Sequence, residues 1–210
     1  MDTFLAIASR REVRAYDGRP IADEVVRRIL DAGRLSGSAG NQQPWRFVLV
    51  SGEAQAALAE AVSEPSNVRG AALVVALLVG GKGHLSFDAG RCAQNMLLAA
   101  WNEGVGGSPN GLADRDAANA VVGVPEDWSI EIVLSFGYPG RPRDPESRSA
   151  EEWSARARRK PLDELVERLS RLASTAAHVE GRRDAVGVVG ARSSDLFARL
   201  EPASLLPRSI

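Results

Sequence analysis

Seven consecutive apolar residues, Leu73-Val74-Val75-Ala76-Leu77-Leu78-Val79, constrain this chain more than any other feature. A strand with one wet face alternates apolar and polar side chains; an unbroken run of this length is a strand covered on both faces. It is too short to span a bilayer as a helix. Gly80-Gly81-Lys82-Gly83 then turns the chain, and it lacks the spacing and the following Ser or Thr of a P-loop. Two further strands are expected, Trp45–Val50 after Pro44, and Trp128–Phe136, where Ile130, Ile132 and Leu134 alternate with Glu131 and Val133. Helices are expected where apolar residues recur at helical spacing. The first carries Phe4, Leu5, Ile7 and Ala8 on one side, and the second is N-capped by Asp23. Glu53–Val62 is alanine-rich, Phe87–Glu103 is the longest, and Asp114–Val122 closes on Gly123. Glu64-Pro65-Ser66-Asn67 reads as a break and Arg141–Lys160 as a surface connection; Pro161 is placed to open another helix.

Charge excludes some classes of function. With 26 basic and 27 acidic residues there is no general attraction to nucleic acid or to an anionic membrane, so any anion must be bound by local clustering of arginines. The single cysteine, Cys92, excludes an internal disulfide, and it sits among apolar helix positions with no histidine arranged to activate it. His84 and Asp88 are too few donors for a closed metal site. The N-terminus Met1-Asp2-Thr3-Phe4 has no cleavable apolar core, and a cytoplasmic location is expected.

Two kinds of segment look built for a ligand. Arg10, Arg11 and Arg14 cluster after the first helix, and Arg156, Arg158, Arg159 and Lys160 form a second basic group. A guanidinium fork fits phosphate oxygens in geometry and in charge. The other kind is a polar, glycine-relieved loop. Gly37 to Trp45 offers Ser38, Asn41, Gln42 and Gln43 as donors and acceptors, with Pro44 expected to hold Gln43 extended. Gly104 to Gly111 reads as a second such loop. Each feature alone also fits a solvated turn or a plain connection. Together they suit a phosphorylated planar ligand. No Ser-His-Asp set, paired carboxylates or dinucleotide-binding glycine motif stands out, so a cofactor is expected to carry the chemistry.

The motifs Ser9-Arg10-Arg11-Glu12-Val13-Arg14, Gly40-Asn41-Gln42-Gln43-Pro44-Trp45-Arg46-Phe47, Phe87-Asp88-Ala89-Gly90 with Gln94-Asn95-Met96, Gly137-Tyr138-Pro139 and Arg159-Lys160-Pro161-Leu162 occur in this order. In order and spacing the set resembles the FMN-dependent nitroreductase family over residues 4–170. The resemblance implies an α+β fold, a central and mostly antiparallel sheet flanked by helices, in an intertwined homodimer. It implies an FMN-binding domain over 1–172, with 173–210 left as a C-terminal tail or dimer arm. By position, Arg10, Arg11 and Arg159 resemble phosphate ligands, and Arg14 the cation at the N1 edge of the flavin. Gly37, Ser38 and Asn41 resemble contacts given to the FMN of the other subunit, and Pro109, Asn110 and Gly111 the backbone facing N5. The implied activity is FMN-dependent NAD(P)H oxidoreduction, hydride passing by flavin N5 to a nitroaromatic, quinone or related acceptor, with no catalytic side chain, metal, nucleic acid or membrane involved.

The chain departs from the family pattern at three places. Glu12 replaces the usual serine beside the phosphate arginines and is expected to pair with Arg10 or Arg14. Gly37 stands where proline is common. The stretch from Ser63 to Ala71, where many relatives carry a helical lid, is short. Two alternatives stay in view: a flavin-binding module without turnover, which Glu12 and the short lid region motivate, and a dehalogenating or flavin-fragmenting relative within the same fold.

Overall fold

The apolar run is strand β2 (Leu73–Gly80), buried along its whole length. In the computed structural model, which describes residues 1–169, it pairs antiparallel with β1 (Trp45–Val50) on one side and β4 (Trp128–Gly137) on the other. Strand β3 (Gly106–Asn110) pairs antiparallel with β4, so the sheet order is β1-β2-β4-β3. The expected α+β architecture is what the chain adopts.

Helices cover both faces. Alternate side chains of β2 divide between two cores, as the period of two requires. Leu73, Val75, Leu77 and Val79 meet Ile29 of α2 (Asp23–Arg34) and Cys92, Met96 and Leu97 of α5 (Leu85–Asn102). Val74, Ala76 and Leu78 meet Leu58 of α3 (Gly52–Glu60), Val68 of α4 (Pro65–Arg69) and Ala118 of α6 (Arg115–Val122). Cys92 is a packing residue. Its thiol lies 3.4 Å from the Gly33 carbonyl, and burial pushes its pKa up to about 12.

Several local expectations are corrected. Asp23 does not cap α2: Ala22 holds the cap position, while Asp23 and Glu24 sit in the first turn, where the helix dipole favours acids. Ile130 and Ile132 do not share a face. A bulge leaves Glu131 unpaired between Leu77↔Ile132 and Leu78↔Ile130, so Ile130 packs with the α3 side and Ile132 with the α5 side. The glycine-rich stretch before Gly111 is the edge strand β3, because β4 supplies its ladder. Pro65 opens α4 instead of ending structure, being tolerated at the first helical position. The connection after Arg141 contains α7 (Ala150–Arg156), set by a capping box between Ser149 and Glu152. Helix α1 (Thr3–Ser9) buries Ala6 and Ser9, whereas Phe4 and Ile7 are exposed.

The chain divides into two units after Ala157. In the second unit, Pro161 leads only a short 3-10 turn, Leu162–Glu164, in place of the expected helix. The expected boundary after residue 172 and the tail 173–210 lie outside the described residues.

Candidate functional site

Residues 10–14 run beside the edge strand β3. Glu12 bridges Gly107 in parallel fashion, and the Val13 N–H donates to the Gly107 carbonyl at 3.2 Å. Val13 is buried, and its side chain lies against the bare Cα of Gly106. This edge pairing carries Arg14 to a cavity of about 420 Å³ lined also by Ser63, Glu64, Asn67, Pro109, Asn110 and Gly111. Arg14 and the 109–111 segment, nearly a hundred residues apart in the chain, thus border one space.

The neighbouring arginines have different surroundings. Arg10 Nη2 donates to Glu12 Oε1 at 2.9 Å, so Glu12 takes one side of this fork. Arg10 Nη1 is buried and makes no hydrogen bond in the structure. A buried cationic donor left this way is costly unless an acceptor reaches it. Arg11 is engaged differently: its Nη1 donates to the carbonyls of Ala8 and Arg10, fastening the end of α1, and its guanidinium lies over Trp153 at 5.4 Å.

The Gly37–Trp45 loop lies elsewhere in the unit. It leads into β1, at the sheet edge opposite β3. Gln43 is not extended; its φ is +51°, because its N–H donates to Ser38 Oγ at 2.8 Å and closes a tight reversal through Gly40 and Asn41, both also left-handed. The buried Asp88 carboxylate accepts from the Ala39 N–H at 3.4 Å. Gly37 is exposed and lies against the Arg91 guanidinium. Within one chain, then, Gly37, Ser38 and Asn41 do not line the Arg14 cavity. Arg159 is exposed and belongs to the second unit. Among the described residues, no group of three or more His, Cys, Asp or Glu side chains could hold a metal ion, and no helix is long and apolar enough to cross a membrane.

The family model described as Nitroreductase family matches residues 7–82 and 79–138, well over half of the chain. The chain belongs to the nitroreductase family. It is 32% identical over 151 residues to a protein of Archaeoglobus fulgidus provisionally named NADH dehydrogenase/NAD(P)H nitroreductase, covering 66% of this chain and 86% of that one. It is 27% identical to the NADPH-flavin oxidoreductase of Vibrio harveyi, covering 66% of each. A provisionally named nitroreductase from Desulfovibrio desulfuricans, solved in complex with FMN, superposes with a TM-score of 0.66 at 28% identity, over 80% of this chain and 98% of that one.

This nitroreductase-family chain lines its cavity with three residues that the sequence did not single out: Ser63, Glu64 and Asn67. Their signal was Pro65, which marks a helix start as readily as a break. Tyr16 was also missed. Its hydroxyl lies 2.8 Å from the Val13 carbonyl and 3.0 Å from Ser135 Oγ, which ties the arginine segment to β4. Burial pushes the Tyr16 phenol up to about 12.

That shift fixes the sign of a pH effect. Below pH 10 the phenol is neutral in both folded and unfolded chains and nothing is lost. Between pH 10 and about 12 the unfolded chain releases this proton while the folded one keeps it, so stability falls, by roughly 2 kcal/mol over the window. Thermal unfolding measured from pH 9 to 12 should show a steeper loss for the wild type than for Tyr16→Phe; parallel curves would refute the assignment.

Proposed function

We propose that this chain binds FMN and acts as an NAD(P)H-dependent oxidoreductase toward a nitroaromatic, a quinone or a related acceptor. The observation that carries the reading is the cavity in which Arg14 and the Pro109-Asn110-Gly111 backbone meet. Its volume lies within the range of about 300–1,000 Å³ common for small-molecule sites. Family membership and the FMN-bound relative from Desulfovibrio desulfuricans support it, as do the NAD(P)H-linked names of the Archaeoglobus and Vibrio relatives.

When bound, the flavin would supply two-electron hydride chemistry between NAD(P)H and the acceptor. The chain's own residues bind and tune it. The unpaired donor of Arg10 fits a phosphate oxygen in charge and in kind. Arg11, next along the chain, adds positive charge beside Arg10, and the family resemblance assigns Arg159 a phosphate-binding role as well. Glu12 holds Arg10 through its other nitrogen, so it orients the fork and also offsets part of its charge. Arg14 sets a cation at the ring end of the site, where it stabilises the negative charge that reduction brings. The 109–111 backbone offers fixed polar groups to the ring edge without a titrating side chain.

Completing the site requires a second copy of the chain. The Gly37, Ser38 and Asn41 loop leads into β1, and β1 and β3 are opposite edges of a four-stranded sheet, about 14 Å apart at three strand spacings. A homodimer brings one copy's loop to the other's cavity. The exposed apolar side chains Phe4, Ile7, Leu35, Leu49 and Phe87 give such a contact its material. With one cysteine and no disulfide to maintain, the reading places the protein in the cytoplasm.

The deciding experiment is the visible spectrum of purified protein, followed by anaerobic NADH and NADPH. A yellow protein bleached by either supports the reading. Colourless protein that takes up no FMN ends it, and bound FMN that neither donor reduces indicates a flavin-binding module instead. Residue roles separate further. Arg14→Ala should lower the flavin potential by on the order of 30 mV, about 1.4 kcal/mol for two electrons, with little change in FMN affinity. Arg159→Ala should do the reverse, and equal effects in the two variants would discard the division of roles.

A further inference from the structure

A chain of hydrogen bonds, buried at its α4 end and half-buried at Tyr16, runs from α4 to the arginine segment. Asn67 Nδ2 donates to Asn110 Oδ1 at 3.1 Å. Asn110 Nδ2 in turn reaches Ser135 Oγ at 3.0 Å, and the Ser108 and Val133 carbonyls at 3.1 Å each. Ser135 Oγ lies 3.0 Å from the Tyr16 hydroxyl, which lies 2.8 Å from the Val13 carbonyl, one residue before Arg14. Asn67, Asn110, Ser108 and Ser135 are all buried. One direction of donation satisfies the whole series: Asn67 to Asn110, Asn110 to Ser135, Ser135 to Tyr16, Tyr16 to Val13. Aligned donors of this kind polarise one another, and a single unsatisfied member is expensive.

We propose that Asn67 is a positioning residue for the ring end of the site. It does not need to touch the flavin. It holds the Asn110 side-chain amide, and the amide holds the last residues of β3 where they border the cavity. The same strip of chain is stitched a second time: the Ser63 N–H donates to the Gly111 carbonyl at 2.9 Å, and the Ala113 N–H to the Ala61 carbonyl at 2.8 Å. The short helix α4, in the stretch where the lid was expected to be reduced, therefore acts as a brace. Through Tyr16 the brace extends to the backbone next to Arg14, so both polar edges of the cavity are set by one network. The proposal rests on the FMN reading above and adds to it the part that fixes the geometry.

Asn67→Ala and Asn67→Leu remove the first donor, the second while keeping apolar bulk in place. Leu58→Ala, a fully buried change in the same core without a link to Asn110, serves as the comparison. In both Asn67 variants saturated with FMN, the flavin potential and visible band positions should shift. Reduction by NADPH should slow by ~10-fold or more, since small misplacements of reacting groups cost that much, while the FMN Kd changes little. Leu58→Ala should lower Tm as far while leaving potential and bands at their wild-type values. Asn67 variants with lowered Tm but wild-type potential and bands would overturn the proposal, leaving Asn67 a purely structural residue. Failure of the FMN reading shows separately, in the spectrum of the unsubstituted protein, and takes this proposal with it.

Discussion

Replacing Arg10 by alanine is expected to weaken FMN binding by about one hundredfold, about 2.7 kcal/mol. Two effects add. The variant removes a buried cationic donor, Nη1, that has no acceptor within the chain. Charge-assisted bonds to phosphate are roughly twice as strong as neutral ones, and more so away from water. The variant also releases Glu12, which now pairs with Arg10 at 2.9 Å. An unpaired carboxylate beside the phosphate repels it. Glu12→Gln alone should therefore tighten binding, and the double variant should bind better than Arg10→Ala. FMN titration followed by fluorescence quenching measures all three. Arg10→Ala with wild-type affinity would remove Arg10 from the site. Its stability should change little, because the lost ion pair is partly exposed and such pairs contribute little.

Gly106→Ala is expected to destabilise the fold by about 3 kcal/mol, the upper end of overpacking costs. A Cβ at this position would come within 2.5 Å of Val13 Cβ and 2.6 Å of its Cγ2. Neither atom is the free end of a flexible side chain: Val13 is buried, β-branched and held by its N–H to Gly107. The clash must push residues 12–14 off the edge of β3, and with them Arg14 away from the cavity. Thermal unfolding should fall by roughly 6 to 12 °C for a domain of this size, and FMN affinity should fall with it. A wild-type melting curve would show that the arginine segment does not pack on β3 in this way.

Local sequence pattern was enough for most elements. The uninterrupted apolar run suited a strand covered on both faces, and the helical spacing around Cys92 and Met96 suited a helix central in the fold or in an interface; both elements formed, the helix packed on the sheet. It misled where one residue has two uses. Pro65 stops a helix or starts one, and here the Leu58–Val68 packing chose the start. Gly106 and Gly107 read as loop because strands rarely carry adjacent glycines; β3 needs them, since Val13 occupies the space over one, and Phe136 and Leu97 the space over the other. Glu131 looked like the polar half of an alternation, and a bulge turned it into the unpaired residue.

The candidate site was legible as a set of residue types and illegible as an arrangement. The arginines, the polar loop before β1 and Pro109-Asn110-Gly111 carry their chemistry in their names, and their order along the chain is enough to indicate the family. Nothing local says that Asn67 bonds to Asn110, 43 residues on, or that Tyr16 meets Ser135, 119 residues on. Those contacts exist because the sheet places β3 beside β4 and the cores press α4 over the end of β3. Hydrophobic periodicity acts between near neighbours and is written in the sequence. Which distant polar groups then meet is settled only when both faces of β2 are covered and a buried donor without an acceptor becomes costly.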